Sequence, residues 1–275
     1  MPEGPEIRIT CDGLNSHLKR CTIEDIQITP ASRYYKSGIH NMDRLKLPLR
    51  VETVVPKGKK ILIYCKDKKG TRIVLISALA MEGSWKLHSG KHSGIEIHTT
   101  DHRGDFKILY FHDTRHFGTF HICMTQEDMD YVLKDVGPDL LNDDVRYEDY
   151  HRVITQKKLQ HKEICWFMME QKFFSGVGNY LLSEILYACR ILPTRKLQDL
   201  SDEDIYNLWN QSKRIIQNSY KYGGLTIATY FAMDGSRGTF RTKVYGQKYD
   251  PHGNRVLTGT FSNKRTSHYV PEIQN

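Results

Sequence analysis

Residues 171–187 read QKFFSGVGNYLLSEILY, and the reading of this stretch decides the fold. Apolar residues at Ile164, Phe167 and Met168, then at Leu181, Leu182, Ile185 and Leu186, recur at the i, i+3, i+4 spacing of core-facing helices. Between the two runs Gly176-Val177-Gly178 makes a tight turn, so one helix is predicted to end at Ser175 and the next to start at Asn179. Glycine lets the backbone come close to a ligand, and a helix start offers N–H groups at a positive dipole end. That arrangement suits a phosphate. The same residues also read as an ordinary helix–turn–helix connection with Asn179 as its N-cap.

Working outward, the helical pattern runs from Asp149 to Gly223 and is preceded by DVGPDLL (135–141), a linker-like stretch. Residues 50–125 change character. VETVV, KKILIYC, TRIVLIS, GSWKLH, IEIHTT, FKILYFHD and GTFHICM are short, β-branched and aromatic, and turn signals such as DKKG and DHRGD lie between several of them. Antiparallel strands in a sandwich or flattened barrel follow. At the amino end, Pro5 to Lys19 reads as one helix with Ile7, Cys11, Leu14 and Leu18 on its apolar face. Beyond Thr239, strand-like alternation returns around DPHGN (250–254), and a hairpin is expected to close the chain there. The predicted fold class is α+β and multidomain: an N-terminal helix with an antiparallel β-sandwich (1–134), a helical domain (135–238), and a hairpin with its tail (239–275).

At 275 residues the chain can bury two ordinary cores, and 39% hydrophobic with 26% charged residues describes a globular protein. No apolar run is long enough to cross a membrane, so no membrane partner is expected. The acidic start MPEGPE carries no apolar leader, which argues for an intracellular protein. Six scattered cysteines without a CxxC pair read as buried thiols, not as a disulfide framework or a thiolate metal site. The net charge is +8, and from Ile205 onward ten Lys or Arg stand against three Asp or Glu. Interleaved with Tyr222, Tyr230, Phe231, Phe240, Tyr245, Phe261 and Tyr269, that basic region suits a polyanion with flat bases.

The chain begins MPEGPEI. Were Met1 removed, Pro2 would present a secondary amine, with the carboxylates of Glu3 and Glu6 close along the chain. Such an amine is a nucleophile: a free α-amino group has a pKa of about 8 and is partly unprotonated at neutral pH.

MPEGPEI and QKFFSGVGNYLLSEIL together resemble the formamidopyrimidine-DNA glycosylase/endonuclease VIII family, the second as its helix–two-turn–helix element. The resemblance continues, in order, through KGKKILI (57–63), ALAMEGSWKL (78–87), DTRHFGTF (113–120), GGLTIATYFAMDGSRGTF (223–240) and VYGQKYDPHGN (244–254). The MPEGPE start is closer to the endonuclease VIII side. The resemblance implies a monomeric bifunctional DNA glycosylase and abasic-site lyase acting on damaged DNA and needing no cofactor. Its substrates would be oxidised pyrimidines and ring-opened purines. The oxidised-purine side of the family, or a non-catalytic damaged-DNA-binding protein that keeps Met1, are the alternatives.

By that resemblance Pro2 attacks the deoxyribose C1′, Glu3 is the general acid, and Glu6 is a further carboxylate of the motif. Lys59 matches the essential lysine at the start of a strand, with Lys57 and Lys60 as rival candidates. Met81, Arg115 and Phe117 match the residues that fill the gap left by an extruded nucleotide, although His116 stands where arginine is common. Asn179 would contact a phosphate, and Arg265 would be the finger arginine. The family's zinc-ligand positions fall on His252, Arg255, Val270 and Ile273, and no cysteine follows Cys189. Valine and isoleucine cannot bind a metal, so a zincless finger with no metal site is expected.

Overall fold

A computed structural model describes residues 2–225, 233 and 235–275. Most of the family-like stretch TIATYFAMD (226–234) lies outside the described residues. The chain divides into two compact units: residues 1–2, 6–134 and 226–238 form one, and residues 3–5, 135–225 and 239–275 form the other.

The first unit is built on helix α1 (Gly4–Leu18) and eight strands. The strands are β1 (Thr22–Ile28), β2 (Leu49–Lys57), β3 (Lys60–Lys66), β4 (Arg72–Ala78), β5 (Gly83–Lys86), β6 (Ser93–Thr100), β7 (Phe106–Asp113) and β8 (Thr119–Cys123). All pair antiparallel in one sheet of order β5-β7-β6-β1-β2-β3-β4-β8. The layers of the expected sandwich are therefore halves of a single folded sheet. Trp85 shows the fold-over: it stands on edge strand β5, yet its indole donates to Ser77 Oγ on β4 (3.2 Å) and its ring meets Phe120 on the opposite edge strand β8. The apolar face of α1 (Ile7, Cys11, Leu14, Leu18) is fully buried in the same core as Ile23, Ile63, Leu75 and Ile97. Helix α2 (Gln126–Leu133) follows β8, opened by a reciprocal cap between Thr125 and Asp128.

The second unit contains α3 (Tyr147–Ile154), α4 (Ile164–Met169), α5 (Asn179–Cys189), α6 (Asp202–Lys221), and a hairpin of β9 (Leu257–Thr260) and β10 (Thr266–Tyr269). Helix α5 is buried on every side from Tyr180 to Tyr187. Helix α4 stops at Met169, six residues before the expected end at Ser175. Residues 170–178 are instead a loop opened by a turn from Glu170 to Phe173, because their polar groups find partners other than a helix. Gln171 donates to the carbonyls of Met169 and Val177 and accepts from Gly176 N–H.

DVGPDLL is not a linker. Gly137 N–H donates to Gln171 O (2.8 Å) and Ser175 N–H to Pro138 O (2.8 Å), stitching the segment onto the loop. A Cβ at Gly137 would lie 2.5 Å from Lys172 O, so glycine is required there by close approach. The closing hairpin also differs from expectation: its turn is residues 261–265, whereas DPHGN is a separate loop closed by a bridge between Tyr249 and Arg255. Asp250 accounts for that loop by accepting from the N–H groups of His252 and Asn254.

Candidate active site

In the first unit the expected residues lie at the start of α1 and at three strand turns. Pro2 is buried, and Glu6 is fully buried on the first turn of α1. Lys57 and Lys60 face each other across the β2–β3 ladder, leaving Gly58 (φ 58°) and Lys59 as the two-residue turn. Lys59 thus sits in the turn, not at the start of the strand, which begins at Lys60. Burial lowers the Lys60 ammonium pKa, and the Cys123 thiol opposes that shift.

Met81 lies in the turn between β4 and β5, half-buried. Phe117 is 52% exposed, so it is no core residue. Arg115 lies over the Phe117 ring at 5.2 Å, and its guanidinium reaches Glu82, the neighbour of Met81, at 4.0 Å. The structure therefore brings Met81, Arg115 and Phe117 to adjoining turns. Asp113 and Arg33, which sequence reasoning passed over, shape the second of them. The buried Asp113 carboxylate accepts from Gly118 N–H (2.7 Å), and Arg33 donates to the carbonyls of His116 and Gly118 on either side of Phe117. His116 takes a left-handed conformation at the apex (φ 56°).

In the second unit Glu3, Asn179 and Arg265 come together. Glu3 is 3% exposed and its carboxylate occupies the N-terminus of α5. It accepts from Gly178 N–H (2.7 Å), Tyr180 N–H (2.9 Å) and Leu181 N–H (3.3 Å). The anion expected at this helix start is therefore a side chain of the protein itself, and the three donors with the helix dipole stabilise its negative charge. A Cβ on Gly178 would overlap that carboxylate, which explains the glycine. Gly178, not Asn179, is the N-cap residue, and it needs no capping side chain because Glu3 supplies one.

Asn179 turns its amide to the hairpin, donating from Nδ2 to Thr266 O (2.8 Å). Arg265 is the residue just before Thr266. It is exposed, and its N–H is held by Asn263 Oδ1 (3.1 Å). One chain of contacts thus runs from Glu3 through the start of α5 to the residue beside Arg265.

Three further acids hold the finger, and the sequence analysis assigned none of them. Glu184 on α5 accepts from the N–H groups of Lys243, Val244 and Tyr245 at 2.8–2.9 Å. Burial raises its carboxyl pKa while those three bonds oppose the rise. Asp250 accepts from Tyr187 Oη (2.9 Å). Glu163 reaches Ser262 in the hairpin turn.

Of the four positions aligned with zinc ligands, His252 and Arg255 are exposed. Val270 is fully buried in an apolar cluster with Tyr187, Val244 and Val256, against which Ile273 packs. Among the described residues, no three His, Cys, Asp or Glu side chains converge as metal ligands, and no helix is long and apolar enough to cross a membrane.

Known proteins resemble this chain in sequence and fold. The chain matches the formamidopyrimidine-DNA glycosylase N-terminal domain over residues 1–120 and the H2TH domain of the same enzymes over residues 136–230. The formamidopyrimidine-DNA glycosylase of Lactococcus lactis subsp. lactis is 30% identical over 289 residues, covering 100% of this chain and 99% of that one. Its counterpart in Bacillus anthracis is 28% identical over 285 residues with the same coverage. Among solved structures, the complex of the LlFpg protein with a THF-DNA and an inhibitor superposes with a TM-score of 0.84 at 25% identity, over 100% of both chains.

Proposed function

The chain belongs to the formamidopyrimidine-DNA glycosylase family and is a DNA glycosylase and abasic-site lyase; from that premise we propose that it excises oxidised pyrimidines and ring-opened purines through Pro2. With Met1 removed, the Pro2 amine attacks C1′ of the damaged nucleoside, the N-glycosidic bond breaks, and the base leaves with a proton. The ring oxygen then opens to give an iminium ion between Pro2 and C1′. Nitrogen in a secondary-amine adduct has no proton to lose, so its positive charge persists and acidifies C2′. Loss of a C2′ proton expels the 3′ phosphate, and a second elimination expels the 5′ phosphate. Hydrolysis of the iminium returns the amine.

The observation that carries this reading is the seating of Glu3. A carboxylate held by three backbone N–H groups, on the residue next to Pro2, is fixed in position before substrate arrives. In this scheme Glu3 handles the proton of the ring oxygen or departing base, and Glu6 supports it from α1. Lys59 approaches the phosphate backbone from the β2–β3 turn. Met81 and Phe117 occupy the space of the extruded nucleotide, with Arg115 addressing the widowed base. Asn179 and Arg265 grip the flanking phosphates, and the finger stands on apolar packing without zinc. In this reading the N-terminal β-rich segment, residues 1–134, is the catalytic platform and the helical segment, residues 135–238, is the DNA clamp. Damaged DNA is the proposed partner, a reading supported by the LlFpg complex with a THF-DNA.

Borohydride trapping on oligonucleotides that each carry one defined lesion tests this proposal. Reduction of the iminium should crosslink Pro2 to thymine glycol and formamidopyrimidine substrates faster than to 8-oxoguanine. A second reading places the enzyme on the oxidised-purine side, and it draws on the relatives' own name, formamidopyrimidine-DNA glycosylase. Equal single-turnover rates on 8-oxoguanine opposite cytosine would decide for it.

A further inference from the structure

We infer that Glu163 is a positioning residue that holds the arginine-bearing turn of the finger in its working geometry. The inference rests on the role proposed for Arg265.

The turn between β9 and β10 is five residues long, Phe261 to Arg265, and its interior is well specified. Lys264 N–H donates to Phe261 O (2.9 Å), Lys264 takes a left-handed conformation (φ 55°), and Asn263 Oδ1 accepts from Arg265 N–H. Local bonds of this kind set the shape of the turn but not its direction. A two-stranded hairpin is marginal by itself, so its aim depends on tethers from outside.

Two tethers bracket Arg265. Behind it, Asn179 Nδ2 binds the Thr266 carbonyl. Ahead of it, Glu163 Oε2 accepts from Ser262 N–H (3.1 Å) and Ser262 Oγ–H (2.5 Å). The Cys165 thiol lies 3.6 Å from the same oxygen and 3.7 Å from Ser262 Oγ, filling the space beneath.

Glu163 is itself well anchored for this task. Its backbone bridges Lys196 and opens α4, where Phe167 and Trp166 N–H groups donate to its carbonyl. The side chain makes no capping bond to that helix, so its carboxylate is spent on Ser262. Charge-assisted bonds to one oxygen are among the stronger hydrogen bonds, and they act on a turn that is otherwise exposed. Removing them leaves residues 262–265 held by their own local bonds and the weak contacts of the Cys165 thiol with Ser262 and Asn263, while β9, β10 and the Asn179 tether remain.

The first arm of the test is hydrogen exchange of the Ser262 to Thr266 amides in Glu163→Ala and in Ser262→Ala. Exchange should quicken at least about tenfold in Glu163→Ala, with α4 and α5 amides unchanged. Unchanged exchange in the turn overturns the inference. The second arm is single-turnover excision of thymine glycol beside cleavage of a preformed abasic site. Glu163→Ala should lose about tenfold in excision and far less in abasic-site cleavage, since that reaction skips base extrusion. Glu163→Gln keeps an acceptor for Ser262 and should recover most of the rate. Adding Glu163→Ala to Arg265→Ala should cost nothing further, because both act through one side chain. An additive loss, or a wild-type excision rate in Glu163→Ala, refutes it. Wild-type excision by Arg265→Ala alone would sink the role proposed for Arg265, while the exchange arm still judges the tether.

Discussion

Replacing Gly178 with alanine should disable base excision without touching any residue that faces DNA bases. The Gly178 backbone is extended (φ −128°), so alanine meets no conformational penalty there. What it meets is Glu3. The new Cβ would lie 2.7 Å from Glu3 Cγ, and closer still to the carboxylate carbon and Oε1. Ordinary contact begins near 3.4 Å, so the carboxylate must retreat by roughly 1 Å, losing bonds to Gly178, Tyr180 and Leu181 N–H. A displacement of ~1 Å in a reacting group costs about 10²-fold in rate, or about 2.7 kcal/mol of barrier. The assay is single-turnover excision and borohydride trapping, read beside affinity for a tetrahydrofuran duplex. Excision and trapping should both fall about a hundredfold while affinity changes by no more than about threefold. Glu3→Gln, which preserves shape and removes charge, should fall at least as far. Trapping by Gly178→Ala at the wild-type rate would refute the argument, because it would show that the seating of Glu3 is irrelevant to the chemistry.

Pro2→Gly should lose most borohydride trapping yet keep binding DNA; mass mapping of the wild-type crosslink to a lysine such as Lys59 would contradict the assignment of Pro2. Chelators should leave melting temperature and activity unchanged, as elemental analysis beside a thermal scan would show, because Val270 and Ile273 pack in an apolar cluster at aligned ligand positions. Asp250 gives a pH signature. Burial works against its charge, but hydrogen bonds from Asn254, Tyr187 and His252 outweigh that and hold its carboxyl at about 2, below the usual 3.8. A depressed carboxylate contributes stability that is present above pH 4 and lost as pH falls toward 2. Exchange of amides 250–256 should therefore quicken across that window in the wild type and show no such step in Asp250→Asn.

The sequence showed elements wherever local pattern and tertiary environment agree. The spacing of Ile7, Cys11, Leu14 and Leu18 marked α1, and β-branched runs marked β2 through β8. TIEDIQI gives no clear strand pattern because it carries three acidic or amide side chains among its apolar ones, and pairing with β6 and β2 makes it the strand β1. DPHGN carries a strong turn signal that suggests the closing hairpin, yet its strength comes from Asp250 binding its own neighbours, not from flanking strands. DVGPDLL has linker composition, but its glycine serves a close crossing with the 170–178 loop. The same limit applies to the site. Pro2, Glu3, Asn179 and Arg265 stand in recognisable motifs, whereas the seating of Glu3 and the roles of Glu163 and Glu184 depend on backbone N–H groups up to 178 positions away. An acid seated on main-chain donors leaves no mark on the residues that supply them. Only the glycine at 178 hinted at such a neighbour.

The apolar cluster under the finger also bears on the conditions in which this protein would work. Oxidised bases arise under oxidative stress, and thiolate ligands are themselves converted to sulfenic and higher acids by the same agents, releasing their metal. A hairpin seated on Val244, Val256, Val270 and Tyr187 offers peroxide nothing comparable to attack. Cysteines elsewhere are shielded in a different way: burial lifts the Cys65 and Cys189 thiols to about 12 and Cys123 and Cys165 to about 11, so little reactive thiolate forms near neutrality. Under the proposed function, a DNA grip assembled this way would persist through the oxidant burst that creates the proposed substrates.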